Sequence, residues 1–365
     1  MILGHIEITN FKNIPSASLS FSPNLNAFLG RNGMGKSNLL DAIYYMSFCR
    51  SFSGMTDSQL IRHGETFTTV RADYVRRGQS EQLSLGIVPG RRKSFKRQSK
   101  EYQRIREHIG LFPLVMVSPR DMDIVSGAPE DRRRFLDMII SQDSPLYLEA
   151  LITYGELLQQ RNRLLRDQAD NAGLYEVLEM RMSDAAETIT SARTALIKSF
   201  SESFGQYYRE IARTQEEPHM ELASQILRDR APLAELLERN RRRDLILGYT
   251  STGPHRDDLV LTLNGLPVRT TASQGQSKTF TIAMRLAQYG HLRDSIGMPP
   301  LLLLDDIFDK LDADRVANIV DIVSNDSFGQ IFITDTNRDH LDYIMNQRND
   351  SHSLWSVENG TFTLH

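Results

Sequence analysis

The sequence predicts an α/β fold with a mixed sheet that is interrupted by a helical arm. A strand-like run over residues 25–29 leads directly into a glycine-rich loop and then into a helical pattern. A second apolar run, residues 301–304, ends in two aspartates. Between these two features, residues 130–243 show helical spacing and few strand signals. Strands and helices alternate at both ends of the chain, which indicates one α/β domain interrupted by the helices in the middle.

Length and composition are those of an ordinary globular protein with more than one core. A chain of 365 residues exceeds what a single hydrophobic core usually supports, so we expect a main domain and a large insertion. Hydrophobic residues at 40% and charged residues at 24% argue against a disordered or fibrous chain. Because the formal net charge is −3, binding to nucleic acid would require a local basic patch.

The sequence indicates a cytoplasmic location. It begins without a cationic segment followed by an apolar stretch, and no run reaches 18 apolar residues. The single cysteine, Cys49, cannot form a disulfide within the chain and suits a reducing compartment. We therefore expect neither export nor membrane spanning.

Strand and helix signals divide the chain into three parts. Residues 1–125 are predicted to form the N-terminal half of the α/β domain, residues 126–245 the helical arm, and residues 246–365 the C-terminal half. Apolar or alternating runs predict strands over residues 2–9, 17–21, 25–29, 68–75, 83–88, 114–117, 259–263, 267–269, 301–304 and 331–334. Helical spacing predicts helices over residues 36–48, 276–290 and 313–323, and Asn264-Gly265 predicts a hairpin turn.

A phosphate-binding loop (P-loop) is the most specific motif. Its residues match the pattern G-x-x-x-x-G-K-[ST] and lie between a predicted strand and a predicted helix: Gly30, Arg31, Asn32, Gly33, Met34, Gly35, Lys36 and Ser37. The glycines allow the backbone to approach phosphate groups, and the amides at the helix start donate to them. We expect Lys36 to reach the β and γ phosphates of a nucleotide and Ser37 to ligate Mg²⁺.

Two carboxylates follow the apolar strand near the C-terminus. A buried strand delivers Asp305 and Asp306 to the carboxyl edge of a parallel sheet, where ligands bind. Asp305 is expected to hold Mg²⁺, directly or through water, and Asp306 to polarise a water against the γ-phosphate. A strand followed by a capping aspartate explains the same residues without function, and it is the P-loop that favours the catalytic interpretation.

A second helix start with anion-binding character precedes these acids. Ser273, Gln274, Gly275 and Gln276 lie where a helix is predicted to begin, so that a hydroxyl and backbone amides can grip an anion. An ordinary serine N-cap is the alternative. Two phosphate-gripping helix starts suggest that one nucleotide is held between two copies of the protein.

In this order the motifs resemble the head of the ATP-binding cassette (ABC) ATPases and, more narrowly, its SMC-like branch. Asn10-Phe11-Lys12-Asn13 at the end of the first strand carries the likeness to that branch. A long coiled coil does not fit between the P-loop and Ser273. The segment Lys310-Leu311-Asp312 completes the likeness to the ABC head. Three further stretches are similar to the RecF family: Val117-Ser118-Pro119 to Asp121, Arg132-Arg133-Arg134-Phe135-Leu136-Asp137, and Gly253-Pro254-His255-Arg256-Asp257-Asp258 leading into Ser273 to Gln276.

The resemblance implies an ATP-dependent homodimer of recombinational repair and replication. Ser273 and Gly275 of one copy would contact the γ-phosphate held by the P-loop of the other. The dimer would clamp duplex DNA at single-strand gaps and duplex/single-strand junctions, recruit RecR, act indirectly with RecO and RecA, and release DNA on slow, DNA-stimulated ATP hydrolysis. ATP and Mg²⁺ are the implied cofactors.

Residue roles follow from the resemblance by position. It implies Asp305 as the Mg²⁺ acid, Asp306 as the catalytic acid, Asp312 as part of a loop facing the dimer partner, and Lys12 as a nucleotide contact. Transporter cassettes carry a histidine after the last strand and a glutamine after the strand that corresponds to residues 114–117. Here Thr334 and Asp335 occupy the first place as candidate γ-phosphate sensors, and no glutamine lies near Ser118.

Three charged segments have both functional and structural interpretations. The segment from Arg91 to Arg106 holds eight basic residues and one acid, and it either follows DNA phosphates or forms a solvated hairpin. Its candidate DNA contacts are Arg91, Arg92, Lys93, Lys96 and Arg97. For the segment from His255 to Asp258 an ion-pair cluster between segments near the nucleotide is favoured over a metal or hydrolytic site, because neighbouring side chains on a strand alternate between faces. A third set, Arg132, Arg133 and Arg134, could contact phosphates, but on a helix that begins near Glu130 these side chains would point in different directions.

Other functions remain open at this point. A small-molecule P-loop kinase would use the P-loop and Asp305, but it has no use for the helix start at Ser273. The ATPase subunit of a nuclease complex would need a long coiled coil or a partner nuclease, and the helical arm disfavours a transporter cassette. The leading hypothesis is a DNA-binding ATPase that acts as a switch.

Overall fold

The computed structural model describes residues 1–168, 171–309, 311–325, 327–347 and 351–365. In the first 121 residues most elements are strands, and one long helix follows the P-loop. In chain order they are β1 (Ile2–Phe11), β2 (Ile14–Ser20), β3 (Leu25–Leu29), α1 (Lys36–Phe48), β4 (Thr68–Arg76), β5 (Gln79–Ile87), β6 (Ser94–Arg97), β7 (Lys100–Glu101) and β8 (Leu114–Val117).

The rest of the chain is mainly helical until strands return near the C-terminus. Its elements are α2 (Met122–Ser126), α3 (Pro129–Asp143), α4 (Pro145–Arg166), α5 (Ala172–Ala212), β9 (Pro218–Ala223), α6 (Gln225–Asp229), α7 (Leu233–Leu247), β10 (Asp258–Leu263), β11 (Leu266–Pro267), α8 (Val268–Thr271), α9 (Gln274–Ile296), β12 (Leu301–Asp305), α10 (Ala313–Val323), β13 (Ile331–Asp335), α11 (Arg338–Gln347), β14 (His352–Glu358) and β15 (Thr361–Leu364).

The described chain divides into two compact units. The first, called the head unit, contains Met1–Asp121, Glu210–Ala212 and Arg285–His365, and the second, called the arm unit, contains Met122–Arg209 and Arg213–Met284. The predicted α/β fold with a helical interruption is confirmed. The domain boundaries after residues 125 and 245 stay a prediction.

A six-stranded sheet in the head unit has the order β15-β14-β3-β13-β12-β8. All neighbouring pairs are parallel except β14 and β15, which are antiparallel. Every residue of the central strands β12 and β13 is buried, as expected for strands that are covered on both faces, and every residue of the edge strand β8 is buried as well. Because β3, β12 and β13 are parallel neighbours, the segments that follow them emerge at the same edge of the sheet.

The other sheet of the head unit is antiparallel, with the order β2-β1-β4-β5-β6-β7. Its strands alternate between buried and exposed side chains, so one face packs on the core. Helix α1 contacts strands of both sheets and is buried around most of its circumference. The helix that follows the P-loop is therefore enclosed on two sides, which fixes its N-terminus relative to the sheet edge.

Buried ion pairs join the helices of the arm unit. The Arg161 side chain on α4 is fully buried, and it donates to Glu179 on α5 at 2.9 Å and to Asp244 on α7 at 2.8 Å. Asp244 is fully buried as well. Such pairs are weak contributors to net stability, but each partner is costly to leave alone. A three-stranded sheet with the order β11-β10-β9 completes this unit.

Three element predictions are wrong in detail. The strand predicted over residues 267–269 is instead β11 (Leu266–Pro267), because the ladder around the Asn264-Gly265 turn ends at Pro267, which has no amide hydrogen to donate, and helix α8 follows. The helix predicted over residues 276–290 is shorter than α9, which runs from Gln274 to Ile296, and the buried Gly290 lies inside the helix and does not end it. The stretch 130–243 contains strand β9, which pairs with β10. Helix α11 and the hairpin β14–β15 carried no prediction.

Within the described residues, no helix is long and apolar enough to cross a membrane.

The Arg161 cluster gives a stability prediction. Replacing Arg161 by Met leaves the Asp244 carboxylate buried without its cation, and we expect a loss of about 3–5 kcal/mol in the free energy of unfolding. Arg163→Met is the matched control on the same helix, because its side chain is 80% exposed, and it should change the value by less than about 0.5 kcal/mol. Urea titration followed by circular dichroism measures both, and equal stabilities for the two variants would contradict the assigned role.

Candidate nucleotide site

The P-loop has the backbone geometry that the motif requires. It connects the end of β3 to the start of α1, and Gly33 and Gly35 have φ angles of 80° and 117°, which favour glycine. The Lys36 ammonium donates to the carbonyl oxygens of Gly30 at 2.5 Å and Arg31 at 3.1 Å. Burial lowers the pKa of Lys36, and the nearby carboxylates of Asp306, Asp305 and Asp335 oppose that shift. The lysine is thus held across the mouth of the loop.

Residues from both motifs line a single cleft of about 110 Å³ at the sheet edge. They are Asn32, Gly33, Gly35, Lys36, Ser37, Asn38, Asp305 and Asp306. The predicted phosphate loop and the predicted acids therefore meet, although more than 260 residues separate them in sequence. Their meeting follows from the parallel register of β3, β13 and β12.

Asp305 is the centre of this cleft. Its Oδ1 accepts from the Ser37 hydroxyl at 2.8 Å and from the Thr334 hydroxyl at 2.7 Å. Burial raises the pKa of Asp305, and the neighbouring Asp306 adds to the rise, while the two hydroxyls and Lys36 oppose it. A cation at this position would reverse the cost of holding a buried carboxylate in its charged form.

The donor set fits Mg²⁺ only together with a nucleotide. A Ser37 hydroxyl beside an Asp305 carboxylate provides the hard oxygen ligands that Mg²⁺ prefers. The described residues contain no group of three or more His, Cys, Asp or Glu side chains able to hold a metal ion. The remaining ligands would have to be phosphate and water oxygens, as is usual for this ion.

The strand β13 contributes the two sensor candidates. Besides binding Asp305, the Thr334 side chain accepts from the backbone N–H of Asp306 at 3.2 Å. Asp306 has a φ angle of 50°, so its backbone is held in a strained conformation next to the cleft. The Asp335 side chain accepts a hydrogen bond from the backbone N–H of Asn337 at 2.8 Å, and its Oδ2 lies 2.8 Å from Nδ1 of His340. The structure therefore places Thr334 closer to the acids than Asp335.

The Ser273 motif forms the first turn of α9 in the arm unit. The Ser273 hydroxyl accepts from the backbone N–H of Gln276 at 3.1 Å, and the Gln276 side chain accepts from the backbone N–H of Ser273 at 2.8 Å. This reciprocal pair is a capping box. Ser273 and Gln274 are exposed, whereas Gly275 and Gln276 are partly buried. The predicted helix start is confirmed, and it presents its N-terminus to solvent.

Asp312 is also at a helix start. Its side chain accepts from the backbone N–H of Arg315 at 2.9 Å and caps α10. The Asp312 side chain is 59% exposed. The neighbouring Lys310 lies outside the described residues.

Comparisons with known proteins agree with this geometry. The family model described as the RecF/RecN/SMC N terminal domain matches residues 2–361. DNA replication and repair protein RecF of Parabacteroides distasonis is 48% identical over 99% of this chain and 98% of its own length. The chain belongs to the RecF family. RecF of Porphyromonas gingivalis is 44% identical over 99% of both chains.

Solved structures support the family at the level of fold. The recombination mediator protein RecF with ATP, from the RecFOR pathway, matches with a TM-score of 0.88 at 27% identity, covering 100% of this chain and 97% of that one. An Smc head bound to the C-winged helix domain of ScpA matches with a TM-score of 0.61 at 15% identity, covering 100% and 97%. The second likeness shows the fold alone, that of the ABC-type ATPase head.

Lys12 of this RecF-family chain is engaged away from the cleft. Its ammonium lies 2.5 Å from Asp41, whose side chain is fully buried, and donates to the Ser53 hydroxyl at 3.1 Å. Asp41 also accepts from the Ser51 hydroxyl and from the backbone N–H of Phe52. Lys12 is not among the residues that line the phosphate cleft. A direct contact between Lys12 and the nucleotide stays a prediction.

The basic segment is a hairpin of β6 and β7 in which the five candidates differ. Arg97 makes two hydrogen bonds of 2.6 Å with Glu81, and this pairing holds the pKa of Glu81 below its usual value. Lys93 donates to the Tyr45 hydroxyl at 2.7 Å and to the Cys49 carbonyl at 2.6 Å. The other three candidates are exposed or partly exposed: Arg91, Arg92 and Lys96.

The segment from His255 to Asp258 forms the predicted ion-pair cluster, and it lies within the arm unit. Only Asp258 of these four residues is in a strand, so the expected alternation between strand faces does not apply to the other three, and a place near the nucleotide stays a prediction. Arg132 makes two hydrogen bonds with Asp258, at 2.6 and 3.0 Å, and the buried Arg193 lies 3.1 Å from Asp257. Burial lowers the pKa of His255 to about 4, so this ring is neutral at pH 7. Arg133 donates to the backbone of Asp257, and the exposed Arg134 pairs with Asp131.

Two residues hold the P-loop through contacts that the sequence did not predict. Asn13, in the β1–β2 turn, donates to the Gly33 carbonyl at 3.2 Å and accepts from the Asn38 side chain at 2.7 Å. Gly360, in the β14–β15 turn, donates its backbone N–H to the Met34 carbonyl at 2.7 Å. The Asn359-Gly360 pair was a readable hairpin signal, but nothing in the sequence directs it to a loop over 300 residues away.

The tight packing at Gly360 gives a prediction on nucleotide affinity. A Cβ at Gly360 would lie 2.4 Å from the Asn13 carbonyl oxygen, so Gly360→Ala must push the turn or the P-loop aside. We expect about tenfold weaker nucleotide binding, as for an overpacked contact. Isothermal titration with ADP measures the affinity.

Gly78→Ala is the matched control for this experiment. Gly78 lies in the β4–β5 hairpin turn with a φ angle of 75°, close to the 77° of Gly360, and a Cβ there meets no atom within 4 Å. Both variants carry the same backbone strain, so only Gly360→Ala should lose affinity. Equal affinities in the two variants would remove the β14–β15 turn from the site.

Proposed function

We propose that this chain is an ATP-dependent DNA-binding switch of recombinational repair. One observation carries the proposal: the P-loop lysine, the Ser37 hydroxyl and the acids Asp305 and Asp306 line one cleft at the carboxyl edge of the parallel sheet. Family membership and the solved ATP complex of a relative support ATP as the ligand. The P-loop would bind the phosphates through backbone amides and Lys36.

In the proposed mechanism each residue of the cleft has a separate role. Lys36 binds the β and γ phosphates, and Ser37 and Asp305 would hold Mg²⁺, which would supply positive charge to the phosphates. Asp306 orients the attacking water and accepts its proton. Thr334 fixes Asp305 through its hydroxyl and Asp306 through the backbone N–H. The backbone of Asp306 is thereby held in place before the nucleotide binds, which lowers the cost of ordering the site.

A second copy of the chain completes the proposed site. The exposed helix start at Ser273 offers a hydroxyl and the positive end of the α9 dipole, which attract a phosphate group. ATP between two copies would then act mainly as the link of a homodimer, with Asp312 near the partner. Weak, DNA-stimulated hydrolysis of ATP would dissociate this homodimer.

The proposed partners are those of the RecFOR pathway, in which relatives of known structure take part. The dimer would clamp duplex DNA at single-strand gaps and junctions, recruit RecR, and act indirectly with RecO and RecA. Such partners favour a cytoplasmic location for the proposed function.

The Asp306→Asn variant tests the switch. It keeps the Mg²⁺ acid and removes the base, so ATP should bind without turnover and hold the dimer together. Sedimentation velocity with ATP should give a dimer for Asp306→Asn and a monomer for Asp306→Asn with Ser273→Arg. As monomers, the single and the double variant should have the same affinity for ATP. If Asp306→Asn binds ATP but remains a monomer, the proposed switch is wrong.

The exposed and partly exposed basic residues of the hairpin test the DNA interface. Replacing Arg91, Arg92 and Lys96 by Gln should weaken duplex binding and reduce the slope of log affinity against log salt by about 0.9 for each lost phosphate contact. Fluorescence anisotropy at salt concentrations between about 50 and 200 mM measures both the affinity for duplex DNA and its dependence on salt. Lys93 and Arg97 are left intact because their internal hydrogen bonds serve the fold. An unchanged slope would exclude this hairpin from the interface.

A further inference from the structure

We propose that Glu216 is a positioning residue for the Ser273 motif, and that Gln276 serves as its link. This inference rests on the proposed action of the motif on a nucleotide in a second copy. The Gln276 side chain makes two hydrogen bonds in opposite directions: Oε1 accepts from the backbone N–H of Ser273 at 2.8 Å, and Nε2 donates to Oε1 of Glu216 at 2.6 Å. All of these residues belong to the arm unit.

Glu216 is itself held by the end of the long helix α5. Its Oε2 accepts from the Tyr208 hydroxyl at 2.8 Å and from the Thr214 hydroxyl at 3.1 Å. The Tyr208 side chain is fully buried. Glu216 therefore joins the last turns of α5 to the first turn of α9 through charge-assisted hydrogen bonds, which are short and directional.

Aromatic packing supports the same joint one turn further along α9. The Phe280 ring lies 4.7 Å from the ring of Phe204 and 5.9 Å from the ring of Tyr208, measured between centroids. Phe280 follows Gln276 by four residues, so both lie on the same face of α9. The face that carries Gln276 is thus packed against α5, while Ser273 and Gln274 at the very start of the helix are exposed.

The chemistry requires an amide at position 276. A capping box accepts either Glu or Gln at this place. Here a Glu would cap Ser273 equally well, but its second oxygen would lie against the Glu216 carboxylate, where two negative charges repel. Gln satisfies both neighbours, because one end of its amide accepts and the other donates. Gln276 is therefore occupied with positioning, and contact with the γ-phosphate falls to the Ser273 hydroxyl and the backbone at Gly275.

A charge exchange tests the inference. Gln276→Glu should weaken dimer formation with a non-hydrolysable ATP analogue by about tenfold, because the link to Glu216 is replaced by repulsion. Combining it with Glu216→Gln restores a donor facing an acceptor. The amide introduced at position 216 can donate to the carboxylate introduced at position 276, while its oxygen still accepts from Tyr208 and Thr214. The double variant should dimerise within about twofold of the wild type.

The readouts separate positioning from folding and from nucleotide binding. Sedimentation velocity with AMP-PNP gives the dimer affinity, and titration with ADP gives the affinity of the P-loop, which should stay unchanged in both variants. The steady-state kcat for ATP should fall with the dimer affinity in Gln276→Glu and recover in the double variant. If the double variant is as defective as the single one, or if Gln276→Glu dimerises like the wild type, the inference is wrong.

Tyr208→Phe provides an independent variant in case Gln276→Glu does not fold. It removes one hydrogen bond to Glu216 without touching α9, and dimer formation should weaken by about threefold. Unchanged dimer formation in Tyr208→Phe would overturn the inference. Failure of the proposed function itself would look different: the wild type would not dimerise with AMP-PNP, or Ser273→Arg would dimerise normally.

Discussion

The nucleotide cleft depends on one buried carboxylate. Asp305 accepts hydrogen bonds from Ser37 and Thr334, which lie 268 and 29 residues away in the sequence. Burying a carboxylate is costly unless hydrogen bonds or a cation stabilise its charged form, and burial raises the pKa of Asp305 even with these two donors present. The arrangement is therefore most favourable when a cation shares the site. A structure of this kind is better explained by binding to a metal–nucleotide complex than by stability of the empty fold.

The sequence determined the centre of the site more fully than its surroundings. Strands β8 and β12 were predictable because their apolar runs are uninterrupted, and strand β3 and helix α1 because the P-loop motif fixes the order strand, loop, helix. Parallel pairing of β3 with β13 and of β13 with β12 then brings Asp305 to Ser37. The contacts of Gly360 with Met34 and Asn13 could not be predicted, since they join segments more than 300 residues apart and leave no pattern in either.

The basic hairpin illustrates a second limit of sequence analysis. Counting charges treats Lys93 and Arg97 as equal to Arg91, but strand pairing places Arg97 beside Glu81 on β5, and Lys93 reaches back to α1. The acid that neutralises Arg97 lies sixteen residues earlier in the chain, so the segment looked unbalanced when read alone. When a segment is a strand in a larger sheet, its net charge therefore overstates the positive charge that is available to bind a ligand, because residues on neighbouring strands neutralise part of it.

Helix starts define both halves of the proposed ATP site, and the two are built differently. At α1 the P-loop leaves the backbone amides to the ligand, and Lys36 adds a full positive charge. At α9 the capping box already uses the amides of Ser273 and Gln276, so part of the helix start is satisfied without a nucleotide. A site that is partly satisfied alone binds a phosphate weakly, because only the exposed hydroxyl, the backbone at Gly275 and the helix dipole add to the interaction. Such a half-site suits a dimer that must also come apart, and it makes the orientation set by Glu216 more important than the number of contacts.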